Sequence, residues 1–264
     1  MSWLQIENKS VLITGGASGI GRVLANAFVR QNASVAIADQ NIKAGKNTLD
    51  ELMLNSDKEH YFFPTDISNP KSVSQMFDSY LKKAKTIDIL INNAGINIPN
   101  KLVDITVNEI DKTYAVNQRG LIICTQEAVS HMKKKGDGVV INVSSESGLE
   151  GSIGQSIYSA TKAAVYSLTR SWAKELGPLG IRVVGIAPGP LEETGMTNNT
   201  YMSALATARG QNINQIKNSY SAAIPLQRPG HLTEIADVIL FLASPKASYI
   251  TGTVINVSGG KSRS

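Results

Sequence analysis

Short apolar runs recur along the chain, separated by longer stretches of mixed apolar and polar residues. The runs fall near 10–14, 34–38, 61–64, 87–91, 138–143, 181–187 and 253–256. The nearly unbroken apolar character of 87–91 and of Val139 to Val143 suits parallel strands covered on both faces. Helices are predicted between the strands, including one over Gly154 to Gly177. Right-handed crossovers then give an α/β fold, a doubly wound parallel sheet of about seven strands. No linker interrupts the alternation, so residues 1–264 are expected to form a single domain. Between 190 and 227 the alternation pauses. Asn198-Asn199-Thr200 reads as a polar helix start, two short helices are expected, and Pro225 closes the segment. Long insertions after a strand are often active-site lids, so 190–227 is expected to be a substrate lid within the domain.

The first run ends in Thr14-Gly15-Gly16-Ala17-Ser18-Gly19-Ile20-Gly21, with helix-like sequence following from Arg22. A strand, a glycine turn and a helix N-terminus suit a phosphate, because unpaired N–H groups and the helix dipole face it. Gly15, Gly19 and Gly21 are spaced G-x-x-x-G-x-G, which differs from the G-x-G-x-x-G dinucleotide fingerprint. The second run ends in Asp39. An acid there can bind the ribose hydroxyls of NAD and would repel the 2′-phosphate of NADP. Neither Ser18 nor Gln40 is basic, so NAD is the expected cofactor.

Tyr158 and Lys162 are four residues apart, and Ser145 precedes the tyrosine by thirteen. On a helix, positions i and i+4 share a face. A free phenol, with a pKa of about 10, is a poor base at neutral pH, and a nearby cation lowers that value. Ser145 would hold the substrate oxygen while Tyr158 moves the proton. Glu146, Glu150 and Gln155 lie close to these residues in sequence and are candidates for binding substrate hydroxyls, although packing or helix capping explains them equally well.

Together these features resemble the short-chain dehydrogenase/reductase family across nearly the whole chain. The likeness runs through the glycine turn, Asp66-Ile67, Asn92-Asn93-Ala94-Gly95, Asn117, Ser145, Tyr158-x-x-x-Lys162 and Pro188-Gly189. The resemblance implies hydride transfer between a secondary alcohol and NAD. It implies a cofactor site built from Gly15, Ser18, Gly19, Ile20, Gly21, Asp39, Asp66, Ile67, Asn93, Ala94, Gly95, Tyr158, Lys162, Pro188 and Gly189. Asn117, Ser145, Tyr158 and Lys162 would be catalytic, with Asn117 positioning a water and Lys162 also binding the nicotinamide ribose. Asn92 to Gly95 would stabilise the sheet near the adenosine ribose. A homotetramer is implied, with a dimer as the runner-up.

Within the family, the C-terminal third is most similar to members that oxidise a phosphorylated hexitol. Arg209 is then the first candidate for the phosphate, being suited to bidentate binding, with Lys217 and Arg228 behind it. One departure is Ser258 in Val257-Ser258-Gly259-Gly260, where many members carry an acid. An unphosphorylated polyol, a 3-oxoacyl thioester and a catalytically silent NAD sensor are the competing readings. Asp39 weighs against the second, and the intact quartet of catalytic residues against the third.

Composition changes this picture little. The balance of 26 basic and 21 acidic residues gives +5, which could steer an anionic substrate. The run Lys133-Lys134-Lys135 before Gly136 reads as a solvated helix end rather than a nucleic-acid patch. A single cysteine, Cys124, excludes a disulfide framework within the chain and reads as a buried thiol. The three histidines are far apart and suggest no metal site. With no signal-like segment and no membrane-length apolar stretch, a cytoplasmic protein is expected.

Overall fold

The computed structural model describes residues 3–192 and 199–262. Seven parallel strands form one sheet in the order β3-β2-β1-β4-β5-β6-β7. They are β1 (Ser10–Thr14), β2 (Ser34–Asp39), β3 (Tyr61–Pro64), β4 (Ile89–Asn92), β5 (Gly138–Val143), β6 (Ile181–Pro188) and β7 (Val254–Val257). The order reverses between β1 and β4, which leaves a crevice beyond the strand C-termini.

Helices α1 (Gly19–Arg30) and α10 (Leu232–Ala243) cover one face. There Leu24, Phe28, Ile235 and Ile239 meet the side chains of Val11, Ile13, Ile89 and Ile141. Helices α3 (Pro70–Ala84), α5 (Leu121–Lys135) and α7 (Ser156–Leu176) cover the other, where Phe77, Tyr80, Cys124 and Met132 pack against Leu12, Leu90 and Val140. Alternate residues of each strand thus serve opposite cores, as the doubly wound prediction requires. Helix α2 (Ile42–Leu54) crosses from β2 to β3.

Two boundaries differ from the sequence reading for local reasons. Helix α1 starts at Gly19 rather than Arg22, because its first turn is built from the glycine cluster itself. Helix α7 starts at Ser156 because Gly154 is left-handed, with φ of +75°. At its C-terminus α5 ends as expected, with Lys133 to Lys135 in the last turn and a left-handed Gly136. Cys124 is fully buried, which pushes its thiol up to about 12. Among the described residues, no helix is long and apolar enough to cross a membrane.

In the 190–227 segment, residues 193–198 lie outside the described residues, and so does Asn198 of the expected helix start. Helices α8 (Asn199–Arg209) and α9 (Ile213–Ala223) follow. They share a small apolar cluster of Met202, Leu205, Ala206 and Ile216, separate from the two main cores.

Candidate active site

A cleft of about 1220 Å³ opens beyond the strand C-termini. At one end, α1 aims its N-terminus into it. Ser18 precedes the helix with an extended backbone and makes no capping bond with its side chain. Gly19 has φ of +51°, and a Cβ there would meet no protein atom, so the backbone lies open to a ligand. Gly21, expected among the cofactor contacts, does not line the cleft. A Cβ at Gly21 would lie 2.1 Å from the Gly15 carbonyl oxygen and 2.7 Å from Asn93 Nδ2, so this glycine lets the helix close onto the turn.

Asp39 stands at the end of β2 on the cleft wall. Its carboxylate accepts from Ala17 N–H (3.1 Å) and Asn41 N–H (2.9 Å), which fixes its direction while leaving acceptor capacity. Asp66 and Ile67 line the cleft after β3, with Asp66 Oδ1 held by Ser68. Asn93 Nδ2 donates to the carbonyls of Thr14 and Gly15, both at 3.0 Å. Thr14 Oγ1 accepts from the N–H groups of Asn93 and Ala94. The Asn-Asn-Ala-Gly segment therefore bolts β4 to the β1 turn. Its first asparagine joins a buried chain from Thr125 through Asn92 and Asn142 to Thr169.

Ser145, Tyr158 and Lys162 converge at the middle of the cleft. Ser145 follows β5 and lies close enough to the Tyr158 hydroxyl to favour its phenolate. Ser147 holds the serine in place through its N–H (3.3 Å) and hydroxyl (3.0 Å), both to Ser145 Oγ. Lys162 Nζ lies 5.7 Å from the centre of the Tyr158 ring and donates to the Val143 carbonyl at 2.8 Å. Burial drives both groups toward neutrality. It takes Tyr158 up to about 12, opposed by the neighbouring Ser145 hydroxyl, and Lys162 down to about 8. The cation-lowered phenol expected from sequence is thus outweighed by desolvation in the protein alone.

Asn117 sits in a π-helical turn, Ala115–Gly120, between α4 (Val107–Tyr114) and α5. Such turns often mark functional sites. The residue is 1% exposed and does not line the cleft. Its Oδ1 accepts from Ile96 N–H (2.8 Å), and its Nδ2 donates to Ile96 O (2.9 Å) and Thr161 Oγ1 (3.0 Å). A Cβ on Gly95 would lie 3.4 Å from both Asn117 Oδ1 and Lys162 Nζ, so the two side chains meet across that glycine.

The far end of the cleft sets charged and amide side chains among apolar ones such as Ile98, Leu191 and Met202. Pro188 and Gly189 form its floor after β6, and Pro188 O accepts from Glu146 N–H. Glu146 and Gln155 are buried cleft residues, whereas Glu150 is exposed. Glu146 makes no helix cap; it forms an ion pair with Lys261. Gln155 donates to the Tyr201 hydroxyl, which also accepts from Asn97 Nδ2 at 2.9 Å. Arg209 lines the cleft, but its guanidinium is already bonded to Ile153 O (3.1 Å) and Ser152 Oγ (2.9 Å) and lies 5.3 Å over the Tyr220 ring. Arg228 does not reach the cleft and pairs with Glu234 instead. Lys217 on α9 is exposed and lines the cleft.

Sequence reasoning missed Asn97, Tyr201 and Lys261. Asn97 lies two residues beyond the Asn-Asn-Ala-Gly segment, and Tyr201 lies in the first turn of α8. Lys261 carried no local signal, because only the returning chain brings it to Glu146.

A Rossmann-type sheet, a glycine turn at its crevice and a Ser-Tyr-Lys group beside that crevice define a dinucleotide-linked oxidoreductase. The chain belongs to the short-chain dehydrogenase/reductase family; the matching family profile, described as enoyl-(acyl carrier protein) reductase, spans residues 15–262. It is 44% identical to the sorbitol-6-phosphate 2-dehydrogenase of Klebsiella pneumoniae, over 99% of each chain. It is 37% identical to a 3-oxoacyl-acyl-carrier-protein reductase of Thermotoga maritima, over 97% of this chain and 99% of that one. A solved structure of the 3-ketoacyl-(acyl-carrier-protein) reductase of Brucella melitensis, complexed with NADH, superposes with a TM-score of 0.87. That structure is 31% identical and covers 98% of this chain and 100% of its own.

Proposed function

We propose that this protein is an NAD-dependent dehydrogenase that oxidises D-sorbitol 6-phosphate to D-fructose 6-phosphate, reversibly. The observation that carries this reading is the set of charged and amide side chains at the far end of the cleft. Glu146, Gln155, Lys217 and Lys261 suit a polyhydroxylated, anionic substrate. The Klebsiella relative points the same way.

NAD fits the other end of the cleft. The open backbone at Gly19 and the α1 N-terminus suit a pyrophosphate, and Asp39 suits two ribose hydroxyls. Asp66, Ile67, Ala94 and Gly95 would flank the adenosine half, and Pro188 and Gly189 the nicotinamide half. When bound, NAD supplies the hydride acceptor.

The protein's own groups do the rest. Ser145 Oγ fixes the substrate oxygen. In oxidation Tyr158 acts as the phenolate, receiving the substrate's hydroxyl proton as the carbon-bound hydrogen leaves as hydride for the cofactor, and in reduction it gives a proton to the carbonyl oxygen. Lys162 holds the phenolate charge when it forms. Asn117 keeps the Ile96 backbone and the Tyr158–Lys162 helix in register, consistent with a water relay along that path. Helices α8 and α9 act as the lid, latched to the rest of the cleft through Tyr201 and Arg209.

The test is NADH formation at 340 nm with NAD and D-sorbitol 6-phosphate, run beside free sorbitol. A strong preference for the phosphorylated substrate is the expected result. Activity on neither substrate would end this reading.

The Thermotoga relative makes 3-oxoacyl reduction the second reading. Asp39 opposes it wherever the 2′-phosphate of NADP is required.

A further inference from the structure

The segment after β7 turns back over the active site. Gly259 and Gly260 have φ of +65° and +88°, and this turn packs against Ile224, Pro225 and Leu226 beyond α9. Leu226 N–H donates to the Gly259 carbonyl at 3.2 Å. The turn delivers Lys261 into the cleft, where its ammonium pairs with Glu146 and lies 4.0 Å from Glu150 Oε2. Ser262 Oγ donates to Glu146 Oε2 at 3.3 Å. Burial raises the Glu146 pKa, and the Lys261 ammonium opposes that rise.

Three features set this cluster apart from a stabilising surface ion pair. Glu146 directly follows Ser145 in the chain. The cluster's side chains line the cleft, with Glu150 as the exposed member. One ammonium faces two carboxylates, so the local charge is negative and repels a phosphate. Ammonium N–H groups beside carboxylate oxygens match sugar hydroxyls, each of which both donates and accepts. Ser258 fits the same account. It packs against Gly189, as does Glu146 Oε2, and an acid at 258 would add a third carboxylate there.

We propose that Lys261, with Glu146 and Glu150, binds the hydroxyl groups of the substrate and sets the selectivity of the site for polyols. The proposal rests on the reading of the substrate as a phosphorylated polyol. It places the phosphate away from this cluster, toward the cationic lid residues.

Lys261→Met, assayed in the full chain with NAD, should raise KM for D-sorbitol 6-phosphate at least about tenfold. It should lower kcat/KM on free sorbitol by a similar factor, since both substrates share the hydroxyls. Lys261→Arg should recover part of the loss, and KM for NAD should not rise. An unchanged substrate KM overturns the proposal. So does a loss confined to the phosphorylated substrate, which would make Lys261 a phosphate ligand. A parallel rise in the NAD KM with a lower melting temperature would also overturn it, showing a structural role. If Lys261→Met does not fold, Glu150→Gln at the exposed member of the cluster decides: a higher KM for both substrates supports the proposal, and no change overturns it. Wild-type protein inactive on both substrates would instead overturn the parent reading, and this proposal with it. That result is distinct from an active wild type with indifferent variants.

Discussion

The Lys162 ammonium lies 5.7 Å from the centre of the Tyr158 ring, and burial disfavours the charged form of both groups. Ionising either one in isolation places a charge in a dry site. Proton transfer is therefore favoured when the two charges form together, phenolate beside ammonium. The 2.8 Å bond from Lys162 to the Val143 carbonyl keeps the lysine at the end of β5, beside the serine that follows that strand.

Replacing Tyr158 by Phe removes the proton acceptor and little else, because the ring stays in its pocket. Turnover should fall by about 10²–10⁴-fold or more. NAD should still raise the melting temperature of the variant, and retained turnover would sink the assignment of Tyr158.

Lys162→Met separates stability from function. The folded lysine has a pKa of about 8 against an ordinary 10.5, so between those values the unfolded chain binds more protons. The buried charge is thus a penalty fully present below about pH 8 and relieved as pH rises toward 10.5. Relief of about 3 kcal/mol exceeds the about 1–2 kcal/mol lost with the Val143 bond. The cofactor-free variant should melt a few degrees above wild type at pH 7, with the gain shrinking near pH 10, while activity is lost. Thermal melts at the two pH values check this.

Asp39→Ala should weaken NAD by about 10–100-fold in kcat/KM and narrow the preference over NADP, because the ribose loses a charged acceptor and a 2′-phosphate loses a repulsive neighbour. Kinetics with both cofactors report the ratio. An unchanged ratio would remove Asp39 from the cofactor site.

Gly21→Ala tests the turn. Its Cβ would collide with the Gly15 carbonyl and the Asn93 amide, so helix and turn must separate. A loss of about 1–3 kcal/mol in stability is expected, together with weaker NAD binding. Denaturant melts and NAD titration measure the two effects.

The two lid cations should behave differently. Lys217→Ala should raise KM about tenfold for the phosphorylated substrate and leave free sorbitol unaffected. Arg209→Ala should lower activity on both, because it unties α8 from Ser152 and Ile153. The ratio of kcat/KM on the two substrates separates phosphate binding from lid latching.

The chain itself determined where the strands lie and the chemistry at their ends. Apolar runs such as Val139 to Val143 are local, and so is the spacing of Tyr158 and Lys162 on one helical face. The glycine turn and Asp39 are likewise legible because backbone freedom and charge at a strand end are properties of short segments. The tertiary structure alone decided how those groups are used. It reassigned Gly21 from ligand contact to close packing, because the Asn93 that crowds it comes from another strand. It spent Arg209 on Ser152 and Ile153, which are distant in sequence. It buried Tyr158 and Lys162 deeply enough that desolvation disfavours the charged form of each. It also brought Lys261 to Glu146 across 115 residues, a partnership made by chain return and invisible to any local pattern.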